Sequence, residues 1–287
     1  MFDRKQIKSD AKQVLSQNYW WMFLTCLIYG FLSRLLNFNV SFSGSGYSFS
    51  FNPGKLDFKG IVELIQNSLT LEITGGMMVV TAVMGLLSVA YSFLVVGPLS
   101  VGFRRYMLNV RKTGEASKVS TIFSAFSNGY LKVCLAMFTM TFLIFLPAIA
   151  ISLISGIIAV VTGFPLFVFL SVLSVIPSII LFYVYLPVPY LLAENPDLGI
   201  GQALRMSRNI SNGHKWDMFV LGLSFIGWFI LGLMACGIGT VFVVPYAQAA
   251  EAEAYIVIRN SAIRKGAVNA SDIFGKPEVI TENTEDF

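Results

Sequence analysis

Long apolar runs alternate with short basic segments along this 287-residue chain, and that alternation predicts membrane-crossing helices. A helix needs roughly 20 apolar residues to cross the hydrocarbon core, with about 17–25 observed. Trp20–Leu36 is the first candidate, opening on the interfacial aromatics Tyr19, Trp20 and Trp21. Met77–Phe103 is the second. Val133–Leu192 is too long for one crossing, and Gly163-Phe164-Pro165 supplies a turn, so it holds two. Met218–Arg259 divides likewise at Cys236-Gly237-Ile238-Gly239. The pattern predicts an all-α polytopic membrane protein with six transmembrane helices.

The placement of charge tests that expectation. Lys and Arg concentrate in residues 1–19, 104–132 and 193–217 and from Arg259 onward; only Arg34, Lys55 and Lys59 fall elsewhere. With six crossings, all four basic segments share one side, and the positive-inside rule makes that side cytoplasmic. Both termini are then cytoplasmic, and the charged first nineteen residues read as no cleavable signal.

Each basic segment before an outgoing helix has one form: a helix with an apolar face, a polar break, then aromatic or basic residues. The breaks are Leu15-Ser16-Gln17-Asn18-Tyr19, Phe126-Ser127-Asn128-Gly129-Tyr130 and Ile210-Ser211-Asn212-Gly213-His214. Upstream, one helical face collects Ile7, Ala11, Val14 and Leu15; then Val119, Ile122, Phe123 and Phe126; then Ile200, Ala203, Leu204 and Ser207. Asn or Gly at the break suits a left-handed cap. Proline lies near the inner half of each returning helix, at Pro98, Pro187 with Pro189, and Pro245. These features predict three helix-hairpin repeats, about 1–112, 113–196 and 197–265, each led by a cytoplasmic amphipathic helix. They form one membrane domain, 1–265. Convergence is the alternative, since any inner segment entering a bilayer gains from a basic amphipathic lead-in.

The outer loop, 37–75, carries its own pattern. Phe38, Val40 and Phe42, then Tyr47, Phe49 and Phe51, alternate with polar residues around Gly44-Ser45-Gly46, as a hairpin with one aromatic face would. Phe38, Phe42, Tyr47, Phe49 and Phe51 are candidates for an outer-leaflet lid; packing over the bundle mouth is the alternative. The polar tail, 266–287, ends acidic and is expected to be disordered in the cytoplasm.

Composition narrows the function classes. The chain is 55% apolar and 13% charged, where soluble proteins average about 45–50% and about 25%. A net charge of +4 gives no basis for nucleic-acid binding. Cys26, Cys134 and Cys236 stand far apart in apolar runs and His214 is the sole histidine, so no metal site, cofactor or disulfide framework is expected. H-E-x-x-H, G-x-S-x-G and the P-loop pattern do not occur, and no enzyme is expected.

One string carries a resemblance. Ala203-Leu204-Arg205-Met206-Ser207, Gly213-His214-Lys215-Trp216, Leu223-Ser224-Phe225-Ile226-Gly227-Trp228, Gly237-Ile238-Gly239, Pro245-Tyr246 and Ala254-Tyr255 together resemble a bacterial membrane family known as domain of unknown function 975. Ala11, Leu15 and Asn18-Tyr19-Trp20 are similar to that family's start, whereas the Phe- and Ser-rich outer loop departs from it. The resemblance implies a multi-helix protein of the cytoplasmic membrane, typically of Gram-positive bacteria, with no settled activity and no catalytic residues to carry over.

Ionisable groups inside a membrane are costly and therefore candidates for function. Arg104 and Arg105 follow Pro98, Glu194 follows Pro187, and Gln248, Glu251 and Glu253 follow Pro245, while Asp217 opens the fifth helix. They form an inner gate or a proton- or cation-coupled site, or else a structural pairing such as Arg104 with Glu251. Expected partners are the bilayer and anionic inner-leaflet lipids. The expected function is transport-like, or handling of lipid or peptide in the cell envelope. The alternative is a non-catalytic scaffold or accessory subunit that binds a protein partner.

Overall fold

The computed structural model describes residues 2–35, 75–127, 129–162, 170, 173–234 and 238–275, excepting the side chains of 75–82, 159–162 and 238. Regular structure among them is entirely helical. The helices are α1 (Arg4–Arg34), α2 (Gly75–Tyr91), α3 (Gly97–Thr113), α4 (Tyr130–Thr162), α5 (Val175–Tyr185), α6 (Val188–Glu194), α7 (Ile200–Ser211), α8 (Lys215–Met234), α9 (Ile238–Arg264) and α10 (Ala270–Phe274). A π-helical turn, Ser92–Val96, precedes α3, and a 3-10 helix, Val119–Phe126, precedes α4.

Five helical runs are long and apolar enough to cross a membrane: Val83–Thr113, Tyr130–Ile158, Val175–Glu194, Lys215–Met234 and Gly239–Arg264. The expected first span is not among the five; α1 has a kink at Asn18, and the last expected residue, Leu36, lies outside the described residues. The aromatic outer-loop residues Phe38, Phe42, Tyr47, Phe49 and Phe51, the turn Gly163-Phe164-Pro165 and Cys236-Gly237 also lie outside them. Residues 34–92 form one compact unit and the rest of the chain another. In the smaller unit, α2 exposes Leu86, Leu87 and Val89.

The core of the larger unit gathers where α3, α6 and α9 meet. Leu99, Val101, Phe103 and Tyr106 of α3, Val188–Leu192 of α6, and Ala250, Ala254 and Tyr255 of α9 are buried. Small residues permit this: alanines recur along α9, and a Cβ at Gly102 would fall 1.8 Å from the Ile122 carbonyl oxygen of the 3-10 helix. Pro98 occupies the first turn of α3, and Gly114 ends it at φ 73°, its N–H bonding the Val110 carbonyl.

Pro98 removes a helical hydrogen bond, and the chain repairs the loss. Pro98 has no N–H for the Leu94 carbonyl, which instead accepts from the Tyr130 hydroxyl at 2.6 Å. Separately, the Val184 carbonyl accepts side-chain hydrogen bonds from Ser207 at 2.7 Å and Ser211 at 3.0 Å. Two serines one turn apart on α7 thus tie that helix to α5.

The polar breaks differ from one another. Gly129 and Gly213 adopt left-handed conformations, φ 76° and 83°. Asn18 does not: it sits at φ −130°, and its buried amide donates to the Gly114 carbonyl at 2.9 Å. Ahead of Asn18, α1 buries Ile7 and Ala11. The second lead-in is a 3-10 rather than an α-helix, so its three-residue turn buries Ile122 and Ala125 and leaves Phe123 exposed. On α7, Ala203 and Ser207 are buried with Met206 and Ile210.

The tail departs from expectation at its start. Residues 266–275 are ordered into a turn and α10, with Val268 and Ile273 buried and the Asn195 amide donating to the Asp272 carbonyl at 3.1 Å. Residues 276–287 lie outside the described residues.

Candidate functional site

Below the proline breaks, α3, α6 and α9 each turn polar side chains toward the others. Arg104 of α3 is 3.0 Å from the Glu251 carboxylate of α9 and also bonds the Gln248 side-chain oxygen one turn earlier. Tyr190 of α6 donates to the same Glu251 oxygen, Oε1, at 3.3 Å, and its ring lies 4.9 Å from the Arg104 guanidinium. Arg104, Tyr190 and Glu251 thus form one layer, with one residue from each helix.

A second layer lies one turn further along. The Tyr255 hydroxyl donates to Glu194 Oε2 at 2.7 Å, and Arg259 pairs with Glu194 Oε1. Lys112 of α3 stands 4.0 Å from Glu194. The Arg259 guanidinium is also 5.0 Å from the Phe274 ring of α10, so the docked tail closes this layer.

The two layers share a reciprocal arrangement. Tyr190 and Glu194 are one turn apart on α6, and Glu251 and Tyr255 are one turn apart on α9. Each tyrosine crosses to the other helix's glutamate, and the two rings stack at 4.6 Å between centroids. Tyrosine comes first on α6 and glutamate first on α9, which is the order that two helices running in the same direction require. Desolvating these ions is expensive, so each carboxylate is held by a guanidinium and a phenol together.

The remaining predicted residues scatter around this core. Glu253 is buried on another face of α9 and pairs with Arg111. Arg105 points away from the layers, donating to the Ala193 carbonyl at 2.9 Å and Ser124 at 3.0 Å. Asp217 meets His214 at 3.4 Å. The structure therefore brings together Arg104, Glu194, Gln248 and Glu251. It adds Tyr190, Tyr255, Lys112 and Arg259, which sequence reasoning did not single out. The signal for the tyrosines was their four-residue spacing from Glu194 and Glu251.

A cavity of about 220 Å³ between α5, α8 and α9 reaches the first layer. Phe182, Tyr183, Leu221 and Phe225 give it apolar walls, and Gln248 and Glu251 give it one polar end. Arg104 and Tyr190 both engage Glu251 Oε1, which leaves Oε2 unused by them. Lys8 of α1 lies 5.2 Å from the Phe225 ring. Among the described residues no three His, Cys, Asp or Glu side chains converge as a metal site.

A family model described as "Protein of unknown function (DUF975)" matches residues 1–262. No curated protein and no solved structure matches the chain.

Proposed function

This chain belongs to the DUF975 family, and on that premise we propose that it handles an amphiphilic molecule, a lipid or peptide, in a transport-like role without catalysing a reaction. The observation that carries this reading is the apolar cavity whose one polar end is Gln248 and Glu251. Apolar walls suit a hydrocarbon or aromatic body, and a single polar end orients it. The Arg104–Glu251–Tyr190 layer is then the inner gate, its charges paired when nothing is bound.

Our proposed architecture has six spans in three helix-hairpin repeats. The part of α1 beyond Asn18 is the sixth span; its exposed Trp20, Trp21, Leu24, Leu27 and Phe31 support this. The recurrence of lead-in, break and proline supports the repeats, as does the one-residue-per-helix composition of the first layer. We place the protein in the bacterial plasma membrane with both termini cytoplasmic, on the distribution of Lys and Arg, and with anionic inner-leaflet lipid beside its basic segments.

Native mass spectrometry of the protein in detergent-free polymer discs tests the handling role. An amphiphile enriched over the bulk membrane, and lost in Glu251→Gln while the fold persists, is the expected result. Wild-type discs that carry only bulk lipid would sink the reading. A second reading, a scaffold for a protein partner, draws on an open polar cleft of about 500 Å³ lined by Asp197, Gln202, Arg205, Asn209 and Asp272. Crosslinking at Gln202 in native membranes should capture a stoichiometric partner if that reading holds, and none if it fails.

A further inference from the structure

A second, almost wholly apolar groove of about 470 Å³ runs between α5 and α8. Ile176, Ile179 and Tyr183 line it from α5, and Lys215, Trp216 and Phe219 from α8. Seven residues separate Ile176 from Tyr183, about 10 Å along a helix axis, so the groove is elongated along the helices. Its two ends differ in chemistry. One is isoleucine; the other is the exposed Lys215 with Trp216, which is 72% exposed.

We propose that this groove seats an acyl chain of one anionic phospholipid, whose headgroup phosphate is held by the Lys215 ammonium. The charge argument identifies the occupant. Lys215 has no ion pair among the described residues, because the nearby Asp217 is turned to His214 at 3.4 Å. A lysine at the mouth of an apolar groove matches a phosphate joined to a hydrocarbon chain, and a tryptophan beside it suits the headgroup level. The aromatic floor is fixed: the Tyr183 and Phe219 rings meet edge-on at 5.8 Å. The site rests on the membrane placement proposed above but not on the role of the Glu251 cavity.

Native mass spectrometry of the full chain, purified in mild detergent and titrated separately with phosphatidylglycerol and phosphatidylcholine of identical chains, tests it. The first phosphatidylglycerol should bind more tightly than the first phosphatidylcholine. Lys215→Ala should weaken phosphatidylglycerol about fivefold and leave phosphatidylcholine unchanged. Lys215→Arg should keep the preference, Ile179→Trp should remove tight binding of both lipids, and the exposed Lys118→Ala should change neither. Equal affinity for the two lipids in the wild type overturns the proposal, as does a Lys118→Ala loss equal to that of Lys215→Ala. Recovery of the chain in the soluble fraction without detergent would instead remove the membrane placement beneath it. Glu251→Gln should leave this lipid affinity intact, which separates the groove from the cavity.

Discussion

The helical run Tyr130–Ile158 holds the most apolar 18-residue stretch of the five, with mean hydropathy 2.4, and only 11% of that stretch is buried. The corresponding stretch of Gly239–Arg264 is the least apolar, at 1.3, yet 44% of it is buried. A protein folded in water would show the reverse ranking. On α4, Leu135, Phe138, Phe142, Phe145, Ile149 and Leu153 are all exposed. On α9, the buried positions are five alanines, Pro245, Tyr255, Ile258, Glu253 and Arg259. When the solvent is hydrocarbon, large apolar side chains gain nothing by leaving it, and helices associate through small residues and paired polar groups. The contrast between α4 and α9 is therefore a statement about the solvent, and six substitutions sharpen or break it.

The largest effect should come from Glu194→Ala. The Glu194 side chain is 1% exposed and that of Arg259 is 9%, so removal leaves a buried guanidinium without its carboxylate, at a cost of about 3–5 kcal/mol. Thermal unfolding in detergent checks it; a shift no larger than that of an exposed α4 substitution would mean that the polar layers do not hold the bundle. Next is Gly102→Ala. Its Cβ would meet the Ile122 carbonyl at 1.8 Å, and with backbone on both sides the cost should reach the top of the roughly 1–3 kcal/mol range for overpacking. Tyr255→Phe follows, at about 1.5 kcal/mol for a hydrogen bond to a charged acceptor. Combined with Tyr190→Phe it should prove non-additive, since the two rings stack and their carboxylates belong to one network. Simple additivity in that cycle would separate the two layers.

Much of this contrast was legible from residue order, and its limits have physical causes. Apolar runs and proline positions locate the helices, because hydrophobicity integrated over about 20 residues is a strong signal. The Arg104 and Glu251 positions could be singled out by their common distance from Pro98 and Pro245. Tyr190 and Tyr255 could not be valued that way, since a tyrosine among alanines and leucines reads as core until its hydroxyl is seen on a carboxylate. Asn18 illustrates a different limit. Its place at a break suggests a left-handed cap, but its role is a side-chain bond to Gly114, 96 residues away, and such a long-range partner leaves no local trace. The early tail misleads by composition: only Val268 and Ile273 distinguish a docked turn from a polar extension.

The smallest effect is the sharpest control on the comparison. Leu153 is 64% exposed on α4, so Leu153→Ala removes methyl groups that hydrocarbon surrounds in the folded state and that create no cavity. In a water-soluble core the same change costs about 2–5 kcal/mol; here the unfolding temperature in lipid discs should move by less than about 0.5 kcal/mol equivalent, the range of a surface substitution. Ile144, 8% exposed on the same helix, supplies the internal reference, and Ile144→Ala should cost several times more. If instead the two substitutions prove equally costly, the outer face of α4 is covered by protein rather than lipid. The low burial of Tyr130–Ile158 would then mark an interface with another subunit.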